Sequence, residues 1–129
     1  MVLIRQLELE TTELFKQKEY SKVVFEISSK TNEDGRSSFL CNLLGLSRIS
    51  IDNKNKDFLS IAIRDFKLGF LKEKNTGHSI DCLANFITTN VLLIDLEKNY
   101  EFDFNEIINF FVLISFYYRF LNFHNAKTL

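Results

Sequence analysis

Residues 38–74 decide the fold. They read SFLCNLLGLSRISI, then the polar stretch DNKNK, then DFLSIAIRDFKLGFLKEK. In the first part, Leu40, Leu43 and Leu44 recur at the three- and four-residue steps of a helix face. The second part has apolar or small residues at helical spacing at positions 58, 62, 66 and 69, and Asp57 before them is suited to an N-cap. The stretch therefore predicts two helices, about 37–51 and 58–72, which form an antiparallel hairpin.

The flanking sequence continues the same pattern in both directions. Helical periodicity predicts further helices over residues 4–17, 20–29, 78–96 and 103–123, separated by short polar breaks. The chain has 129 residues, no proline and four glycines, so it is short enough for one domain and poor in the turn residues that an all-β fold needs. We therefore expect a single all-α domain over residues 1–129.

An internal repeat links the predicted hairpins. Leu44-Gly45 recurs as Leu83-Ala84, 39 residues later, and each pair follows a loop that contains glycine. A step of 34 residues back from Gly45 reaches Thr11. A five-residue insertion in the polar loop 52–56 accounts for the difference between the two spacings.

The central hairpin resembles a tetratricopeptide repeat. Leu44-Gly45 matches the Leu-Gly pair of that motif, and Ala62, Phe66 and Gly69 match its small, aromatic and small positions. The first hairpin has Val23 and Ile27 instead, and the proline and tryptophan of the motif are absent throughout. The resemblance implies about three antiparallel helix pairs, over residues 4–36, 38–75 and 77–124. Such an array is a TPR-like α-solenoid, or a fragment of a right-handed superhelix.

The resemblance also implies a concave groove lined by the first helix of each pair. In the first pair the groove positions are Arg5, Glu8, Thr12 and Phe15. In the second and third pairs the predicted partner-binding residues are Phe39, Asn42, Leu46, Ile49, His78, Asp81 and Asn85. Asparagine amides both donate and accept hydrogen bonds, so Asn42 and Asn85 suit the backbone of an extended peptide. The chain is rich in asparagine, and the sequence leaves open that these two are ordinary surface residues.

Residues 104–123 are apolar and aromatic on nearly every side of a helical wheel. Three explanations stay open: a central core helix, an interface for a second copy or another protein, or contact with a membrane. We favour a protein interface and name Phe111, Phe116 and Phe120 as its candidate residues. Charged residues inside the stretch, Glu106 and Arg119, argue against a membrane span.

The remaining composition excludes several classes of function. The net charge is −1, which gives no general attraction for nucleic acid. There is no phosphate-binding loop, no nucleophile motif and no paired cysteine motif, so we expect no enzyme activity, cofactor or metal. Two cysteines fit a reducing, cytoplasmic location. The sequence thus predicts a non-catalytic protein-interaction or scaffold domain that binds a protein or peptide. The alternatives are a compact helical bundle with a small-ligand pocket, or an accessory domain of a larger enzyme.

Overall fold

The computed structural model describes residues 3–72 and 77–97, together with Asn105, Ile108, Asn109 and Val112. These residues are almost entirely helical, and none of them lies in a β-strand. The all-α prediction is confirmed. The ranges 3–72 and 77–97 contain five α-helices, which are α1 (Ile4–Lys16), α2 (Tyr20–Lys30), α3 (Ser38–Ile51), α4 (Lys56–Lys72) and α5 (Gly77–Leu96).

Side-chain caps explain where the central helices begin. Ser37 accepts a hydrogen bond from the backbone N–H of Leu40 at 3.2 Å, which caps α3. The prediction that Asp57 caps the next helix is wrong. Asn55 has that role, since its Oδ1 accepts from the N–H groups of Asp57 and Phe58 at 2.9 and 3.2 Å. Either residue can cap a helix, and the one that comes first in the chain does so, which starts α4 two residues earlier than predicted.

The first two helices form an antiparallel pair. The rings of Phe15 and Tyr20 meet edge to face across the turn, with centroids 5.3 Å apart. Lys18 in that turn has a φ of 61°, the left-handed region that an ordinary side chain adopts only under local constraint. The pair and α3 bury a common aliphatic cluster, which consists of Leu7, Val23, Ile27, Leu40, Leu43 and Leu44. This cluster attaches the N-terminal pair to the rest of the fold.

Helices α3 and α4 pack closely through their glycines. A Cβ added at Gly45 would lie 2.5 Å from the ring of Phe66, which is fully buried. A Cβ at Gly69 would lie 2.5 Å from the sulfur of Cys82 and 2.8 Å from Cβ of Cys41. Gly69 of α4 thus lies between α3 and α5. At both glycines the helices touch, as the small residues of the repeat predict.

A buried ion pair also joins α3 to α4. Nε of Arg48 donates to Oδ2 of Asp65 at 2.8 Å, and Asp65 is 4% exposed. Burial raises the pKa of Asp65 to about 6, although the Arg48 guanidinium opposes that rise. The beginning of α3 contacts the end of α4, because Oγ of Ser38 donates to the carbonyl of Gly69 at 2.6 Å. The two helices are therefore antiparallel.

Helix α5 packs against both α4 and α3. It runs parallel to α3, because Phe39 contacts His78 and, further along both helices, Asn42 contacts Asn85. Of the described helices, α5 alone has the length and apolar composition of a membrane span. A helix buried in a protein core passes the same test, and seven residues of α5 are buried against its neighbours.

Candidate functional site

An amide pair lies where the face of α3 meets that of α5. Nδ2 of Asn85 donates to Oδ1 of Asn42 at 2.7 Å, and both side chains are half-buried. The two residues were predicted from different repeats, and the structure brings them into direct contact. Their bond uses one donor and one acceptor. Within residues 3–72 and 77–97, no second hydrogen bond is seen at Nδ2 of Asn42 or Oδ1 of Asn85, so the pair presents adjacent donor and acceptor groups.

One aromatic contact lies beside the amide pair. Phe39 and the exposed His78 meet edge to face with ring centroids 5.1 Å apart. Phe39 is half-buried and packs on the aliphatic cluster that the first helix pair shares with α3. The ring is therefore fixed in position while part of it stays accessible, which suits a residue that contacts a ligand.

The other predicted groove residues divide by depth. Leu46 and Ile49 are half-buried and pack on the second core cluster, whose members are Ala62, Phe66, Phe70, Cys82, Leu83 and Phe86. They form an apolar floor. Asp81 is exposed and lies on the same face of α5 as His78 and Asn85, three residues after one and four before the other.

Helix α1 extends this face on the other side of α3. Oε1 of Glu8 accepts a hydrogen bond from Ser37 at 3.0 Å, and its Oε2 lies 3.4 Å from Arg5. Glu8 therefore links α1 to the beginning of α3, and both of its oxygens already have partners. We call the surface formed by Arg5, Glu8, Phe39, Asn42, Leu46, Ile49, His78, Asp81 and Asn85 the amide face.

Catalytic and metal-binding groups are scarce in the described part of the chain. In residues 3–72 and 77–97 no group of three His, Cys, Asp or Glu side chains is placed to hold a metal ion. Cys41 is buried, and burial raises the pKa of its thiol to about 11, which keeps it protonated and unreactive at neutral pH. The carboxyl group with a strongly raised pKa, Asp65, lies between α3 and α4 and bonds to Arg48.

Sequence reasoning missed the Arg48–Asp65 pair. A signal was present, since both residues fall among apolar positions of their helices, and a charge at such a position needs a partner. The predicted interface residues Phe111, Phe116 and Phe120 lie outside the described residues. Of the predicted helix 103–123, the structure describes four positions, and all four are helical and exposed.

Comparison with known proteins assigns this chain to no family. No protein-family model matches the sequence, and no curated protein or solved structure matches it either. Function is therefore inferred from the amide face and from the helix packing that holds it.

Proposed function

We propose that this chain is a non-catalytic interaction domain of TPR-like type that binds an extended peptide segment across the amide face. The fold part of the proposal is a short array of antiparallel helix pairs. Three features support it: consecutive helices are antiparallel neighbours, α3 and α5 run side by side in parallel, and Gly45 and Gly69 make the close contacts. In such an array the first helices of successive pairs share one surface.

The observation that carries the proposal is the Asn42–Asn85 hydrogen bond of 2.7 Å. Each amide orients the other, so the free donor and acceptor are held in place before a ligand arrives. The backbone of an extended peptide offers both a carbonyl and an N–H along its edge, and these can bond to the two amides. Because less side-chain freedom is lost on binding, a fixed amide pair contributes more than two mobile asparagines would.

The surroundings suit a peptide better than a small polar molecule. Phe39 contributes apolar contact above the first core cluster, and Leu46, which is also half-buried, contributes it above the second. Backbone hydrogen bonds would set the direction of the peptide, while these apolar positions would accept its side chains. Affinity from so few contacts is modest, and we expect dissociation constants in the micromolar range, on the order of −8 kcal/mol.

Selection from a phage-displayed library of random peptides tests the proposal. Enriched peptides, synthesised singly, should bind the chain by titration calorimetry. Asn42→Ala and Asn85→Ala should each weaken binding about tenfold, which corresponds to one lost hydrogen bond of about 1.4 kcal/mol. The matched control is Asn53→Ala, since Asn53 is an exposed asparagine in the loop between α3 and α4.

Two outcomes would refute the proposal. One is a selection in which the unchanged chain enriches no peptide relative to a surface coated with the Asn42→Ala/Asn85→Ala double variant. The other is enriched peptides that bind the double variant as tightly as the unchanged chain. Circular dichroism of each variant should show the helix content of the unchanged chain, which separates loss of binding from loss of fold.

A further inference from the structure

The side of α5 that faces away from α3 carries an apolar stripe. Ile80 and Ile87 are half-buried, Ala84 is exposed, and Val91 and Ile94 are 56% and 37% exposed. These five residues follow one another at steps of four, three, four and three, which places them along one line of the helix. We call them the α5 stripe. Ile87 packs on the second core cluster, and Ala84, Val91 and Ile94 continue the apolar line at the surface, where a helix usually carries polar residues.

The internal repeat shows what covers the same line on α3. The 39-residue shift that relates Gly45 to Ala84 also relates Cys41 to Ile80 and Arg48 to Ile87. On α3 these positions face the next helix. Gly45 touches Phe66, Arg48 bonds to Asp65, and Cys41 packs against Gly69. These three partners all lie on α4. By this internal equivalence, Ile80, Ala84 and Ile87 lie on the surface that the segment after α5 should cover. Val91 and Ile94 continue the same line past the point where the equivalent helix ends at Ile51.

The opposite edge of the fold is different. The outward side of α1 exposes mainly polar residues, namely Arg5, Gln6, Glu10, Glu13 and Lys16, with Leu9 as an exception. Such a polar side is typical of the terminal helix of an array, which has no further neighbour. Helix α5 lacks a polar side in this direction, so it is not built as a terminal helix.

From these observations we infer that the α5 stripe is the docking surface for the chain's own segment 104–123. The inference does not depend on peptide binding at the amide face. The chain continues for 32 residues after Glu97, and residues 104–123 are its most apolar stretch. Residues 97–103 can span about 23 Å, more than the 8–10 Å between neighbouring helix axes.

The four described positions of this segment agree with such a contact. Asn105, Ile108, Asn109 and Val112 are helical and exposed, and their spacing places them on one side of a helix. On a helical wheel of this sequence the opposite side carries Ile107, Phe110, Phe111 and Ile114, and all four are apolar. A segment tethered to α5 is present at millimolar effective concentration, which favours it over a second copy of the chain.

Chemical cross-linking within the full chain tests the inference. Val91→Cys is combined in turn with a cysteine at 107, 110, 111 or 114 and treated with a bis-maleimide. At least one pair should give a cross-link within a single chain, with monomer mass on a denaturing gel. The matched control replaces Val91→Cys by Asp81→Cys, on the amide-face side of the same helix, and should react at least fivefold less. The native cysteines are at most 1% exposed, and the unchanged chain measures their background.

Other occupants of the stripe would give different results. Cross-links of dimer mass would overturn the inference in favour of a second copy. Equal reaction from Val91→Cys and Asp81→Cys would overturn it as well, and so would cross-links that form only with lipid vesicles. If a variant fails to fold, light scattering of the unchanged chain over a concentration series still decides. A monomer at every concentration is expected, and a dimer would contradict the inference.

Discussion

The first helix pair and the central pair have the same arrangement but different packing. At equivalent positions of the repeat, α1 has Thr11 and α3 has Gly45. Thr11 is fully buried, and its hydroxyl donates to the carbonyl of Leu7 at 2.7 Å within its own helix. Gly45 has the Phe66 ring directly against its backbone. The first pair is therefore held by branched aliphatic side chains between the helices, and the central pair by direct contact of an aromatic ring with helix backbone.

The two pairs also place their charges differently. In the central pair, Arg48 and Asp65 form a bond of 2.8 Å with side chains only 18% and 6% exposed. In the first pair, Lys30 lies 4.0 Å from Glu10 across the two helices, and both are at the surface. An antiparallel helix pair can thus be stabilised by aliphatic side chains that tolerate changes of shape, or by a close contact that only a glycine and a ring fit. We expect the second kind to respond far more strongly to substitution.

Removal of the central aromatic ring should have the largest effect. Phe66→Ala leaves a cavity beside Gly45 and should lower the free energy of unfolding by about 3–5 kcal/mol. Phe25→Ala is the control, because Phe25 of the first pair is 67% exposed. It should change stability by less than about 0.5 kcal/mol. Urea unfolding followed by circular dichroism measures both, and equal losses would contradict the contrast between the two pairs.

The ion pair should give the next largest effect, with a defined pH dependence. Arg48→Met leaves the Asp65 carboxylate buried and unpaired, and should cost about 3 kcal/mol near pH 8. Burial raises the pKa of Asp65 to about 6, so the native state takes up this proton more readily than the unfolded chain. The contribution of Asp65 to stability is therefore present below its ordinary pKa of 3.8 and is lost as the pH rises through about 6.

The cost of Arg48→Met should accordingly shrink below about pH 5, where Asp65 becomes neutral. The double variant Arg48→Met/Asp65→Asn should recover most of the loss near pH 8. Lys30→Met in the first pair is the control and should change stability little at either pH. A cost of Arg48→Met that is independent of pH would show that the carboxylate is not its source. Urea midpoints at the two pH values provide the comparison.

The smallest effect gives the most direct comparison of the two pairs. Gly45→Ala places a methyl group against Phe66 and should destabilise the fold by about 1–3 kcal/mol, despite the better helix propensity of alanine. Thr11→Ala, at the equivalent position, should stay within about 1 kcal/mol. If combined with Phe66→Leu, the cost of Gly45→Ala should fall, and a double-mutant cycle measures that coupling. Additive costs would mean that the ring and the glycine do not constrain each other.

Sequence periodicity predicted the helices well because their apolar faces are regular. The ends of α1 and α3 fall within one residue of prediction, and the close contacts at Gly45 and Gly69 follow from small residues at repeat positions. The start of α4 was misplaced because local competition between two capping residues, Asn55 and Asp57, cannot be decided from residue type alone.

Pairing between helices was harder to predict than the helices themselves. The sequence indicates Asn42 and Asn85 as amides suited to an extended peptide, but their bond to each other depends on the register of α3 against α5. The Arg48–Asp65 bond depends on register in the same way. Periodicity indicates which side of a helix is buried. The register of one helix against another is set by the shapes of the side chains between them.

Each described helix packs mainly against helices one or two places away in the chain. This arrangement has a consequence for the folding rate. Contacts between neighbouring helices need little loop closure, so we expect the five described helices to fold in microseconds to milliseconds, as proteins rich in local contacts do. Neighbour-to-neighbour packing also lets the ends open without the middle. Amide hydrogens of α1 should therefore exchange faster than those of α3 and α4, and the central hairpin should be the last part of the chain to lose its structure.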